Sequence, residues 1–166
     1  MHPEFTLAWR RALPALTAVL TLAVFLYSAT QAQAVPPRMS VTEAIAAAEK
    51  GEIVLIDIRT PAEWEQTGIG KGAIPLDMRG PDFVDTVVKI HAANPERPVA
   101  LICAMGGRSG YVTKILERNG VTGIIDVAEG MFGSAAGKGW LKEGLPVYRG
   151  TEAEYKGLVE AVTGAL

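Results

Sequence analysis

A cysteine, two glycines, an arginine and a serine fall within seven residues in Cys103-Ala104-Met105-Gly106-Gly107-Arg108-Ser109. A thiol attacks as its thiolate, and a free cysteine pKa of about 8.5 drops beside a cation or a helix N-terminus. Both are at hand here. The apolar run Val99-Ala100-Leu101-Ile102 reads as a buried strand that empties into Cys103. Ser109 is suited to N-cap a helix over Tyr111 to Asn119, in which Val112, Ile115 and Leu116 share one face and Asn119-Gly120 makes the stop. The loop N–H groups and the positive helix end can point at the sulfur, and Gly106 and Gly107 permit the positive φ of an anion nest. Arg108 adds a fixed charge with a fork of donors. These residue types predict a cradle for one anionic group, with Cys103 as nucleophile and Ala104, Met105, Gly106, Gly107, Arg108 and Ser109 as its wall. A strand-end cysteine is often only a small hydrophobe. The Gly-Gly-Arg-Ser continuation argues against that here, because a packed core cysteine needs neither a nest nor a cation.

Other nucleophile chemistries lack their parts. Cys103 is the only cysteine, and the two histidines are His2 and His91. Neither a zinc ligand set nor a Cys–His protease pair is indicated. The formal charge of −2 carries no polyanion-binding signal, so nucleic acid is not an expected partner.

The elements that must hold the cysteine alternate between helix and strand. Met39 to Val41 is predicted as a first edge strand, and Ser40 or Thr42 as the cap of a helix ending at Lys50-Gly51. Ile53 to Ile56 suits a strand buried on both faces. Asp57 and Arg59 follow it, where strand ends in an open α/β sheet border the ligand crevice; they are candidates for the site's border or for its scaffold. Thr60-Pro61-Ala62-Glu63 is a capping box with proline at the first helical position, and predicts a helix to about Gln66. A turn-rich Gly68 to Gly72, a short strand Ala73 to Leu76 and a helix from Pro81-Asp82 to Ala93 come next. Beyond the cysteine loop lie a strand over Gly123 to Val127 and a glycine-rich stretch Gly130 to Trp140, read either as a flap or as a plain connection. A last helix over Thr151 to Val162 carries Tyr155, Leu158, Val159 and Val162 on one face. The alternation predicts an α/β fold with a parallel sheet.

At 166 residues and 49% hydrophobic composition, the chain suits one domain, since domains average about 100–200 residues. The first 34 residues are read apart from the fold: Arg10-Arg11, an apolar stretch from Ala12 to Ala29, and an A-x-A pattern at Ala32-Gln33-Ala34 before Val35. This predicts a cleaved secretory signal and a periplasmic or otherwise exported domain. The competing reading is an uncleaved membrane anchor over residues 12–29, close to the length of a span. Arg10-Arg11 raises a twin-arginine route, whose surrounding residues fit poorly. Val35-Pro36-Pro37-Arg38 is a stiff linker, and residues 39–166 form the expected domain. An exported lone thiol has no internal disulfide partner and is exposed to oxidation, so its retention favours a functional cysteine.

The motifs resemble those of a known family. Cys103-Ala104-Met105-Gly106-Gly107-Arg108-Ser109 is similar to the C-x-x-G-x-R-S loop of single-domain rhodaneses, the thiosulfate and persulfide sulfurtransferases. Leu55 to Trp64 resembles the family's first signature, and Gly68 to Pro75 its G-H-I-x-G-A segment, with Ile69 where the family usually has histidine and Lys71 where it has proline. Glu129-Gly130-Met131, Trp140 and Gly144-Leu145-Pro146-Val147 resemble its C-terminal G-G-x-x-x-W and G-x-P-V. The resemblance implies a rhodanese-like fold with about five parallel strands and helices on both faces. It implies sulfane-sulfur transfer through a Cys103 persulfide, from a small anionic donor such as thiosulfate to an external thiol or cyanide, with Arg108 on the donor's sulfonate and no cofactor. Two alternatives stay open. One is a sulfur carrier or sensor without turnover; the other is a cysteine phosphatase or arsenate reductase, whose loops resemble C-x-x-x-x-x-R with five intervening residues. Here four intervene, a cradle too tight for a tetrahedral phosphate.

Overall fold

The computed structural model describes residues 37–164; the segment expected to direct export or to anchor the chain, and the start of the expected linker, lie outside them. In chain order the elements are β1 (Arg38–Met39), α1 (Val41–Glu49), β2 (Val54–Asp57), α2 (Pro61–Thr67), β3 (Ile69–Gly70), β4 (Ile74–Pro75), α3 (Phe83–Ala93), β5 (Val99–Ile102), α4 (Gly107–Arg118), β6 (Ile125–Val127), β7 (Val147–Tyr148) and α5 (Glu152–Thr163). Five strands form one parallel sheet in the order β1-β6-β5-β2-β4. The expected α/β class and five-stranded parallel sheet are the observed ones.

The two apolar runs become its centre. β2 and β5 pair in parallel with Leu55 opposite Ala100 and Asp57 opposite Ile102. Both are wholly buried. Alternation along a strand then sorts side chains between two cores. Leu55, Ala100 and Ile102 pack with Val41, Ala44, Trp64 and Trp140, so α1 and α2 cover that face. Val54, Ile56, Val99, Leu101 and Cys103 pack with Val87, Ile90, Val112 and Leu116, so α3 and α4 cover the other. Cys103 therefore continues the face of Val99 and Leu101, toward the helix that follows it. The last helix, α5, runs past the β4 edge; Tyr155 joins the first core and Val159 and Val162 the second, while Leu158 stays exposed.

Helix starts follow the local chemistry. Capping boxes with both reciprocal hydrogen bonds open α1 (Ser40 and Glu43), α2 (Thr60 and Glu63, with Pro61 following) and α5 (Thr151 and Glu154). Because Ser40 is the cap of α1, Val41 belongs to the helix and the first edge strand stops at Met39. The second strand lies one residue later than expected, its ladder entered by the Val54 N–H donating to Pro98 O. The strands over Ala73 to Leu76 and Gly123 to Val127 are trimmed to β4 and β6, and α3 begins at Phe83 with no side-chain cap from Asp82. One feature was unforeseen: β3 and β7 form a separate antiparallel pair, Ile69 opposite Tyr148 and Gly70 opposite Val147.

Candidate functional site

Cys103 follows directly on β5, and α4 begins four residues later, so the sulfur lies between a strand end and a helix start. The turn is made by Gly106, whose φ of +75° ends the loop and opens the helix as its N-cap. This corrects two expectations. Ser109 is not the cap but lies inside the first turn, because the left-handed Gly106 lets the helix begin at Gly107. Gly107 itself has no positive φ.

Moving Ser109 inward changes its job. Its backbone N–H donates to Cys103 Sγ at 3.4 Å, and its hydroxyl stands 3.5 Å from the same sulfur while donating to Gly106 O at 3.2 Å. Both side chains are buried. The first-turn amide is therefore the donor placed on the sulfur, where it can stabilise charge that develops there.

The glycine-rich stretch is neither a flap nor a bare connection. It lies along the cysteine loop, with Met131 N–H donating to Cys103 O and Phe132 N–H to Ala104 O, each at 2.9 Å. The approach is close: a Cβ on Gly130 would lie 2.6 Å from Ala104 O, and one on Gly106 would lie 1.9 Å from Ala128 O. Glu129 pins the stretch from behind, accepting from Gly139 N–H at 3.0 Å and Val41 N–H at 3.3 Å. Within the wall, Met105 is exposed at the tip and Ala104 is half-buried.

Arg108 has a partner that the sequence reading did not assign. Its terminal nitrogens donate to Glu63 Oε2 at 2.9 Å and Oε1 at 2.5 Å, a bidentate ion pair across 45 residues of chain. Glu63 Oε2 also accepts from Thr60 N–H and Thr60 Oγ1, so one carboxylate caps α2 and holds the arginine. The Arg108 hydrogen bonds pull the Glu63 carboxyl from the ordinary 4.5 to about 2, opposed by its partial burial and helped by Thr60. In return Glu63 raises the pKa of Arg108, and the sulfur of Cys103 adds to that rise. The guanidinium thus stands by the thiol, with the expected oxyanion fork engaged by a carboxylate. The capping-box signature at residues 60–63 accounted for Glu63 locally, and nothing local marks its second partner.

Asp57 and Arg59 are wholly buried and bind each other, Arg59 Nη2 to Asp57 Oδ2 at 2.7 Å. Arg59 also donates to Gly68 O at 2.7 Å and Thr67 Oγ1 at 2.8 Å. Burial pushes the Asp57 carboxyl up, and Arg59 works against it. Their hydrogen bonds tie the end of β2 to the end of α2, the helix that presents Glu63; none goes to the Cys103 loop. Asp126, on β6, is a further buried carboxylate. The ideal Cβ of Gly110 would lie 3.1 Å from its Oδ2, its Oδ1 has no hydrogen-bond partner, and Arg38 Nε is 3.8 Å away. His91 lies on α3 and outside this constellation. Among the described residues no group of three or more His, Cys, Asp or Glu could hold a metal ion, and no helix is long and apolar enough to cross a membrane.

Comparison with known proteins agrees with this architecture. A sulfurtransferase of Allochromatium vinosum is 27% identical over 100 residues, covering 60% of this chain and 82% of its own. The chloroplastic thiosulfate sulfurtransferase 16 of Arabidopsis thaliana is 36% identical over 121 residues, covering 68% of this chain and 92% of its own. The crystal structure of Rv0390 from M. tuberculosis shares the fold at a TM-score of 0.53 and 22% identity, covering 69% of this chain and 98% of that one. The Rhodanese-like domain family matches residues 40–136, from the cap of α1 into the glycine segment that clamps the cysteine loop, and the chain belongs to that family.

Proposed function

We propose that this protein is a sulfurtransferase that carries sulfane sulfur on Cys103. The Cys103 thiolate attacks the outer sulfur of a donor, for which thiosulfate serves as the simplest case: the new S–S bond forms, the bond to the sulfonate sulfur breaks, and sulfite leaves with the bonding pair. Cyanide or a thiolate then attacks the outer sulfur of the persulfide and regenerates the Cys103 thiolate, releasing thiocyanate or a new persulfide. This is covalent catalysis in two displacements. Cys103 is the only cysteine, so the acceptor comes from outside the chain.

The observation that carries the reading is the Ser109 N–H donated to Cys103 Sγ beside Arg108. This amide and the guanidinium are placed to stabilise negative charge on the attacking sulfur and on the persulfide that follows, while the Ala104 to Gly107 backbone supplies the rest of the cradle. Membership of a family with sulfurtransferase-named relatives supports the same chemistry.

The test is intact mass of the purified protein before and after thiosulfate and then cyanide, with Cys103→Ser alongside. A gain of one sulfur that cyanide removes, absent from the variant, is the expected result. A free, reduced Cys103 that gains no sulfur would sink the thiosulfate cycle. A persulfide that forms and then resists both cyanide and thiols would favour a carrier over an enzyme.

A further inference from the structure

Two neighbouring arginines, Arg108 of the cysteine loop and Arg79, each have a carboxylate partner. Arg108 is held bidentately by Glu63. Arg79, on the turn after β4, is held by Asp77, with Nη2 to Oδ2 at 3.0 Å and Nε to Oδ1 at 3.2 Å. The two pairs lie near enough for the charges of Glu63 and Arg108 to act on Arg79 and for that of Glu63 to act on Asp77. These two pairs are therefore balanced before a donor arrives, and a Cys103 thiolate adds an uncompensated negative charge beside Arg108. A dianionic donor enters against that charge, and its sulfonate must compete with Glu63 for the Arg108 fork. A persulfide, R–S–SH or its monoanion, carries at most one charge and no sulfonate, so its penalty is smaller and it does not compete for the fork.

We infer that Glu63 is a specificity-determining residue that turns the site away from dianionic donors and toward persulfide sulfur on a neutral carrier. This rests on the sulfurtransferase reading above. The step balances as a displacement: the Cys103 thiolate bonds to the outer sulfur of R–S–SH, the R–S bond to that sulfur breaks, the carrier leaves as a thiolate with the bonding pair, and the proton of the transferred sulfur passes to that thiolate or to solvent. No oxidant or reductant is consumed.

The experiment compares wild-type protein with Glu63→Gln, using thiosulfate and 2-hydroxyethyl persulfide as donors. The reading is the rate of sulfur gain at Cys103 in single turnovers without acceptor, followed by quenched intact mass. Glutamine at this position preserves the capping box of α2 and removes only the charge. The expected result is a rise of about tenfold in thiosulfate efficiency, through a lower half-saturating concentration, with the persulfide changed by less than about twofold. Equal changes for both donors, or a thiosulfate efficiency that stays level or falls, would overturn the inference. A second measurement needs no variant. Between about 20 and about 200 mM salt, wild-type efficiency with thiosulfate should rise as like-charge repulsion is screened, and rise more than that with the persulfide, which carries at most one charge; a fall with thiosulfate would also overturn it. If wild-type protein gains sulfur from neither donor, the sulfurtransferase reading itself fails. If it gains sulfur and the Glu63→Gln donor ratio is unmoved, only the role of Glu63 falls.

Discussion

Single residues at this site work through charges held close together, so pH separates their contributions. Glu63 has its carboxyl lowered to about 2, chiefly by Arg108 and then by Thr60. For a lowered acid, the stabilisation is complete above the ordinary 4.5 and is lost as pH falls toward 2. Urea unfolding from pH 5 down to pH 2.5 should therefore show the wild type losing stability faster than Glu63→Gln; parallel curves would mean that the ion pair contributes nothing to the fold. Asp126 has the opposite sign. Burial raises its carboxyl, with Ser109 and Arg38 only partly offsetting this, and Oδ1 lacks a partner. A raised acid burdens the fold above its folded pKa, and that burden disappears as pH drops below the ordinary 3.8. Asp126→Asn should accordingly stabilise the protein near pH 7 by on the order of 1 kcal/mol and leave it unchanged at low pH, as thermal unfolding at both pH values would show.

At the level of elements, two adjacent glycines separate backbone necessity from mere proximity to the cysteine. Gly106 turns the chain from loop into α4 with φ at +75°, and a Cβ there would strike Ala128 O at 1.9 Å. Gly107 is the first residue of α4, with nothing within 4 Å of its ideal Cβ. Gly106→Ala should cost about 3 kcal/mol or more, combining left-handed strain with displacement of the segment behind the loop. Gly107→Ala should be neutral or stabilising by up to about 1 kcal/mol, since alanine lowers the entropy of the unfolded chain and favours helix. Urea midpoints at constant m decide between them. The clamp between the ends of β2 and α2 follows burial logic. Arg59→Met would leave Asp57 charged and unpaired at the end of β2 and should cost about 3–5 kcal/mol.

Across the whole molecule, sequence separation decides what could be read without coordinates. Caps, proline at a helix start and apolar runs act within a few residues, which is why α1, α2, α5, β2 and β5 were legible to within a residue or two. The Cys103 loop was legible for the same reason. What escaped was non-local: the bond between Arg108 and Glu63, and the pairing of β3 with β7 across some eighty residues. The placement of Ser109 escaped too, because a serine at a helix start looks alike as a cap or one turn further in. The glycine segment was the largest loss, its role being visible only where it meets the loop. Trp140 joins these distant parts. Its ring fills the space a Cβ on Gly70 would need, its Nε1 donates to Pro146 O at 2.9 Å, and its backbone N–H donates to Gly130 O at 3.0 Å. The β3–β7 pair is thereby coupled to the segment whose amides grip Cys103 and Ala104. Trp140→Phe keeps an aromatic ring, loses the bond to Pro146 and should cost about 1–3 kcal/mol. By hydrogen exchange, the Met131 and Phe132 amides should lose protection well beyond the loss at Leu55 in β2. If Leu55 loses as much, Trp140 serves the core alone, and the grip on the cysteine loop does not depend on it.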